Sequence, residues 1–332
     1  MGDRKQKAPP PSAVHPAGDR PRRNDKVVPI STSKLAATPT PLSPDSLTWQ
    51  LFGDLRGLLL IVRTGTLQNM HPDISAALVE HSNFFQNPWH RLLRSMPPIL
   101  GVVYDGDRAL CTGRQVRDFH RGIGGHSNSG HAYHALNPEL YYWAHATFFE
   151  GQIALCEFFG TPLSETDKER LYRESIQWYA LYGLTMAPVP PDYASFQRYW
   201  QQMIDTRLQN TTVTDWYFRN GHTVPAPYGW LRGPLWNRLL RPIVSGGSQW
   251  LAAGTLPPVL RGRLGLAWTK RDERLLRGLG TVTRGLWRLT PKRWRYLPTA
   301  RQAMQRAATG VRACPQTHGP SRPESDTSAP CR

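Results

Sequence analysis

Residues 137–160 read NPELYYWAHATFFEGQIALCEFFG, and this stretch decides the fold class. Asn137 is an N-cap residue, Pro138 stands at the first helical position, Glu139 lies near the positive helix end, and Gly160 stops the run. Between the caps lie 22 residues, which span about 33 Å as an α-helix. The helix is apolar nearly all round, so it belongs at the centre of a fold rather than on its surface.

The same punctuation recurs on both sides. Ser164 with Asp167 forms a loose capping box opening a helix through Trp178 and Leu181, and Asp192 or Ser195 caps SFQRYWQQMIDTRL. Upstream, Pro72 starts DISAALVEHS and Pro88 starts WHRLLRSM, with Pro97-Pro98 expected to break or kink that segment before ILGVVY. A further helix carries ALCTGRQVRDFH into Gly122-Ile123-Gly124-Gly125. Strand signals are weak: one hairpin is conceivable around Asp105-Gly106. The reading is an all-α, multi-helix bundle.

Composition limits the ordered part. Among 332 residues there are 30 Pro and 28 Gly, and residues 1–45 and 309–332 are poor in aromatic and apolar residues, as disordered tails are. The net charge of +17 is uneven. From Arg232 to Arg312, 17 Lys and Arg oppose only Asp272 and Glu273, whereas residues 46–231 carry 14 basic and 16 acidic groups. The domain at 46–308 thus has a near-neutral core and a strongly basic helical part at 232–308. Four cysteines without a CxxC argue against a zinc site or disulfide framework. Neither an apolar signal core nor an 18-residue apolar run occurs, which points to the cytoplasm.

Histidine is the chemical anomaly, with eight of 11 falling between His71 and His145. His90, His126, His131 and His134 read as surface or loop residues, and no HExxH is present. His145 differs, because it lies inside the central helix with Tyr141 and Tyr142 one turn before it and Phe148 and Phe149 one turn after. A buried imidazole is satisfied by hydrogen bonds or by a metal. Arg117 and His120, three apart on one helix face, could present a cation and an imidazole to one cavity.

The run LRGLLLIVRTGTLQNMHPDISAALVEHSNFFQNPWHRLLRS, then VRDFHRGIGG, YHALNPELYYWAHATFF and PLSETDKERLYRE, resembles the MpaB-type oxygenase family. This is the catalytic domain shared with the latex-clearing type of rubber oxygenase. The resemblance extends to LPPVLRGRLGLAW and LPTARQAMQR, and so covers roughly residues 45–308. It implies a globin-like core, a non-covalently bound haem b with its iron, and oxygen-dependent attack on carbon-carbon double bonds of a hydrophobic or polyprenyl substrate. By the resemblance His145 is carried over as axial iron ligand, with Tyr141 and Phe149 as pocket walls and Arg117 and His120 as haem-pocket or distal residues. The sequence departs from the family at Ser95, where Thr is common, and at the double proline that follows.

In the basic region, Leu275, Leu276, Leu279, Val282 and Leu286 recur at helical spacing between Arg274, Arg277, Arg284 and Arg288. A basic amphipathic helix of this kind suits peripheral contact with the inner face of a membrane through residues 271–295. A nucleic-acid-binding helical protein is the alternative from another class, unsupported by any recognised motif. A non-catalytic relative that binds a hydrophobic ligand is the third.

Overall fold

The computed structural model describes residues 38–309 apart from 128, 129, 222, 223 and 232. The segments 1–37 and 310–332, which make up most of the expected tails, lie outside the described residues. Residues 40–42, assigned above to the first tail, are anchored: Leu42 is buried, and the Gln177 amide donates to the carbonyls of Thr40 and Pro41.

Thirteen α-helices are present among the described residues. They begin with α1 (Leu47–Leu51), a 3-10 segment (Leu55–Leu60), α2 (Ile61–Asn69), α3 (Pro72–His81), α4 (Pro88–Tyr104) and α5 (Ala109–Asp118). A two-stranded antiparallel hairpin, β1 (Gly124–His126) with β2 (Ala132–His134), precedes α6 (Pro138–Phe159). Then follow α7 (Glu165–Ala180), α8 (Tyr193–Thr206), α9 (Thr212–Asn220), α10 (Arg241–Thr255), α11 (Pro258–Arg263), α12 (Lys270–Leu289) and α13 (Pro298–Thr309). The chain is all-α, as its caps predict.

Helix α6 is the axis of the packing. Its N-cap Asn137 accepts from the Glu139 amide, and 14 of its residues are buried on every side, as an all-round apolar sequence demands. It packs against the 55–60 segment, α2, α7 and α12. Ser164, Asp192 and Thr269 cap α7, α8 and α12 through their side chains.

Two local expectations are corrected. Pro97-Pro98 does not end a helix, because α4 runs unbroken from Pro88 to Tyr104. Two prolines remove backbone donors and crowd the preceding carbonyls, but Leu100, Val102, Val103 and Tyr104 beyond them are all buried in the main core, and that packing holds the helix together. The Asp105-Gly106 pair forms no hairpin: Gly106 takes a positive φ of 57° and links α4 to α5 through a single 3-10 turn.

Candidate functional site

The C-terminal end of α5 delivers Arg117 and His120, and the first two turns of α6 deliver Tyr141 and His145. Nδ1 of His120 lies 2.8 Å from the carbonyl oxygen of Val116, one helical turn back. A nitrogen facing a carbonyl must donate, so the proton sits on Nδ1 and Nε2 is left with its lone pair. Burial, with the Arg91 guanidinium nearby, lowers the pKa of His120 and keeps the ring neutral. Tyr141 meets the imidazole edge-on with ring centroids 5.6 Å apart.

Arg91 reaches this place from α4. It is solvent-exposed, yet protein surrounds it closely enough that desolvation, aided by Arg94, lowers the pKa of its guanidinium. His120 has the same character, half-buried but strongly desolvated. Arg117 lies at the same corner: its Nε donates to Asp118 at 2.8 Å, and its guanidinium approaches Gly183. That partner holds the Asp118 carboxyl below its ordinary pKa.

His145 occupies a different environment. It is 2% exposed, and its Nε2 lies 3.1 Å from the Ser175 carbonyl and 3.0 Å from the Ser175 hydroxyl. Nε2 therefore carries the proton, and Nδ1 is a buried lone pair without a hydrogen-bond partner. Trp178, Tyr179 and Tyr182 close around the ring at centroid distances of 4.8, 5.2 and 5.9 Å. Desolvation pushes the His145 pKa down to about 3, so this imidazole is neutral at any physiological pH.

The residues predicted from sequence thus fall into three places. Arg117, His120 and Tyr141 are together at the α5–α6 corner. His145 sits one turn deeper, joined to that corner by Tyr141, Tyr179 and Tyr182 in edge contact. Phe149 belongs to neither group: it is fully buried against Tyr172, Tyr193 and Phe196. Arg91 comes near His120 through the three-dimensional return of α4 alongside α5, a pairing that sequence spacing does not show. His90, His126, His131 and His134 are exposed, as expected of surface histidines.

Two cavities lie elsewhere. One of about 440 Å³ is lined by Pro72, Ser75, Val79, Glu80, Ser127 and Thr211 among others, and contains no predicted site residue. A smaller apolar one of about 90 Å³ lies between Phe52, Ile61, Met96 and Phe148. Among the described residues no group of three or more His, Cys, Asp or Glu is arranged to hold a metal ion.

Residues 49–285 match the family described as ER-bound oxygenase mpaB/B'/Rubber oxygenase, catalytic domain. The chain belongs to this family, and so carries an oxygenase-type domain of the oxidoreductase class. Uncharacterized proteins of Mycobacterium bovis and of Mycobacterium tuberculosis are each 26% identical to it over 218 residues, covering 65% of this chain and 81% of theirs. No solved structure matches it significantly. The family is compatible with a haem or iron cofactor. Among the described residues no helix is long and apolar enough to cross a membrane.

Proposed function

We propose that this protein is a haem b-dependent oxygenase that acts on a hydrophobic, isoprenoid-like chain by oxidative cleavage of a carbon-carbon double bond or a related oxygenation. The observation that carries the reading is the state of His120. Its Nδ1 proton is held by the Val116 carbonyl, and its Nε2 keeps its lone pair on a half-buried ring. Imidazoles that ligate iron have this form, with the far nitrogen tethered to a carbonyl so that tautomer and ring plane are fixed. The donor set supports a porphyrin over a bare ion, because a non-haem iron centre needs two histidines and a carboxylate converging on one point.

Bound haem would supply dioxygen binding and activation. The protein supplies the rest. Tyr141, packed edge-on, holds the His120 ring in place. Arg91 places a partly desolvated cation near the His120 ring, suited to a haem propionate or to developing negative charge. The same elements expose apolar side chains, Leu93 at 48% and Phe119 at 57%, as an approach for a hydrophobic chain. A globin-like core is part of the same proposal.

His145 is the second candidate for the axial position, on the strength of its unpartnered Nδ1. Coordination there would require the Trp178, Tyr179 and Tyr182 rings to move apart, so His120 is preferred. The visible spectrum of the purified protein separates the two. A Soret band that is lost in His120→Ala and kept in His145→Gln is the expected result, with far-ultraviolet circular dichroism reporting the fold. A band lost only in His145→Gln transfers the ligand role to that residue, and a haem-free wild type overturns the cofactor reading.

A further inference from the structure

Helix α12 has two apolar rows, and only one of them is used inside the molecule. At 100° per residue, Leu276, Leu279 and Gly280 lie on one side of the helix. Leu276 is buried beside Phe159, and a Cβ at Gly280 would stand 2.4 Å from the Phe158 carbonyl. Arg284 donates to that same carbonyl at 3.1 Å, and Arg56 stacks 4.7 Å over the ring of Trp287. The helix is therefore locked in rotation.

The second row faces outward. Leu275, Val282, Leu286 and Leu289 fall within an arc of about 60°, and they are 53, 58, 59 and 81% exposed. Single exposed leucines are ordinary; four in line along one helix of 20 residues are a surface. Arg274 and Arg288 flank the row on one side and are exposed. Trp294, 62% exposed, follows just past the helix beside the exposed Lys292 and Arg293. No acidic residue occurs from Arg274 to Thr309, and the two acids of the first turn are occupied, Asp272 by Trp250 and Glu273 by Trp268 and Arg277.

We propose that α12 and the turn after it lie on the surface of an anionic phospholipid bilayer, with the Leu275–Leu289 row in the acyl boundary and the flanking cations among the headgroups. An apolar row bordered by cations on a helix too polar to insert is the pattern of an interfacial helix. Tryptophan at its end suits the headgroup level. Charge complementarity favours this occupant: nucleic acid would use the arginines and leave the leucines in water, and an apolar protein groove would use the leucines and leave the arginines unpaired. The inference is independent of the haem reading, since vesicle binding needs no cofactor.

The test is flotation of the full-length protein with vesicles of phosphatidylcholine alone, or of phosphatidylcholine mixed with phosphatidylglycerol. The wild type is expected to float only with the mixed vesicles. Leu286→Asp/Leu289→Asp should weaken binding by more than about tenfold, because an interfacial helix holds largely through its buried apolar area. Arg274→Gln/Arg288→Gln should weaken it by about fivefold per residue, and added salt should reproduce that loss. All four positions are exposed, so circular dichroism should be unchanged. A wild type that stays unbound overturns the proposal, as does undiminished binding by the aspartate variant, which would place the attraction in other basic segments. A dimer in light scattering that the aspartate pair dissolves would also overturn it, by assigning the row to a second copy of the chain.

Discussion

Replacing His145 with Gln should flatten the acid side of the stability curve. In the native protein the imidazole is enclosed by aromatic rings, and burial pushes its pKa down from 6.5 to about 3. In the unfolded chain it titrates normally. Between these two values the unfolded state binds a proton that the native state refuses, so stability rises with pH and is lost as pH falls below 6.5. At 1.36 kcal/mol per unit, lowering the pH from 7 to 5 removes about 2 kcal/mol through this one residue. Glutamine keeps an amide donor near the position of Nε2, facing Ser175, and does not titrate. Urea unfolding at the two pH values then gives the answer. The midpoint of the wild type should fall by about 0.7 M more than that of the variant, for a slope near 3 kcal/mol/M. His71 and His120 are also held below the ordinary histidine pKa by burial, but they titrate equally in both proteins and cancel in the difference. Equal pH dependence in the two proteins would refute the argument, because it would mean that His145 can be protonated where it stands.

Two further perturbations test the packing around the site. Arg63 is 3% exposed, pairs through both terminal nitrogens with Glu150, and donates from Nε to the Thr255 carbonyl at 2.9 Å. Arg63→Met should cost about 3 kcal/mol, a fall of about 6 °C in Tm for a domain of this size, and Arg63→Met/Glu150→Gln should recover part of it. In calorimetry, an unchanged Tm would show the pair to be worth no more than a surface bridge. Gly280→Ala should unseat α12 at a cost of about 1–3 kcal/mol, since the new methyl meets the Phe158 carbonyl. Limited proteolysis should then cut near α12 first, and an unaltered digestion pattern would count against the rotational lock.

The main helices were legible because their signals are local. Asn137, Ser164 and Asp192 cap where their residue types say they should, and the all-round apolar run of α6 could only be central. Signals that needed partners from afar were misread or missed. Pro97-Pro98 reads as a break or a kink, and only the burial of Leu100–Tyr104 shows why the helix does not break there. The hairpin at 124–134 has no alternating apolar pattern: among the residues of its two strands Tyr133 alone is buried, bonded to Glu80 of α3. The candidate site divides in the same way. Histidine clustering and the Arg117/His120 spacing are visible in one dimension. Which imidazole keeps a usable lone pair depends on the Val116 and Ser175 carbonyls and on how tightly rings close around each, and none of that is written in spacing.

The boundary of the family match bears on what α12 is for. The match ends at residue 285, while the outward row continues through Leu286 and Leu289 to Trp294. The most exposed part of the surface proposed to meet lipid therefore lies past the matched residues. Oxygen chemistry and membrane attachment should then separate by mutation. Leu286→Asp/Leu289→Asp should leave the absorption spectrum and thermal stability as they are, and should slow turnover only when a hydrophobic substrate is presented in vesicles. His120→Ala should do the reverse, abolishing the Soret band without affecting flotation. If the leucine variant lost the band as well, the row would be acting through the fold of the oxygenase core, and the division between the two ends of α12 would be mistaken.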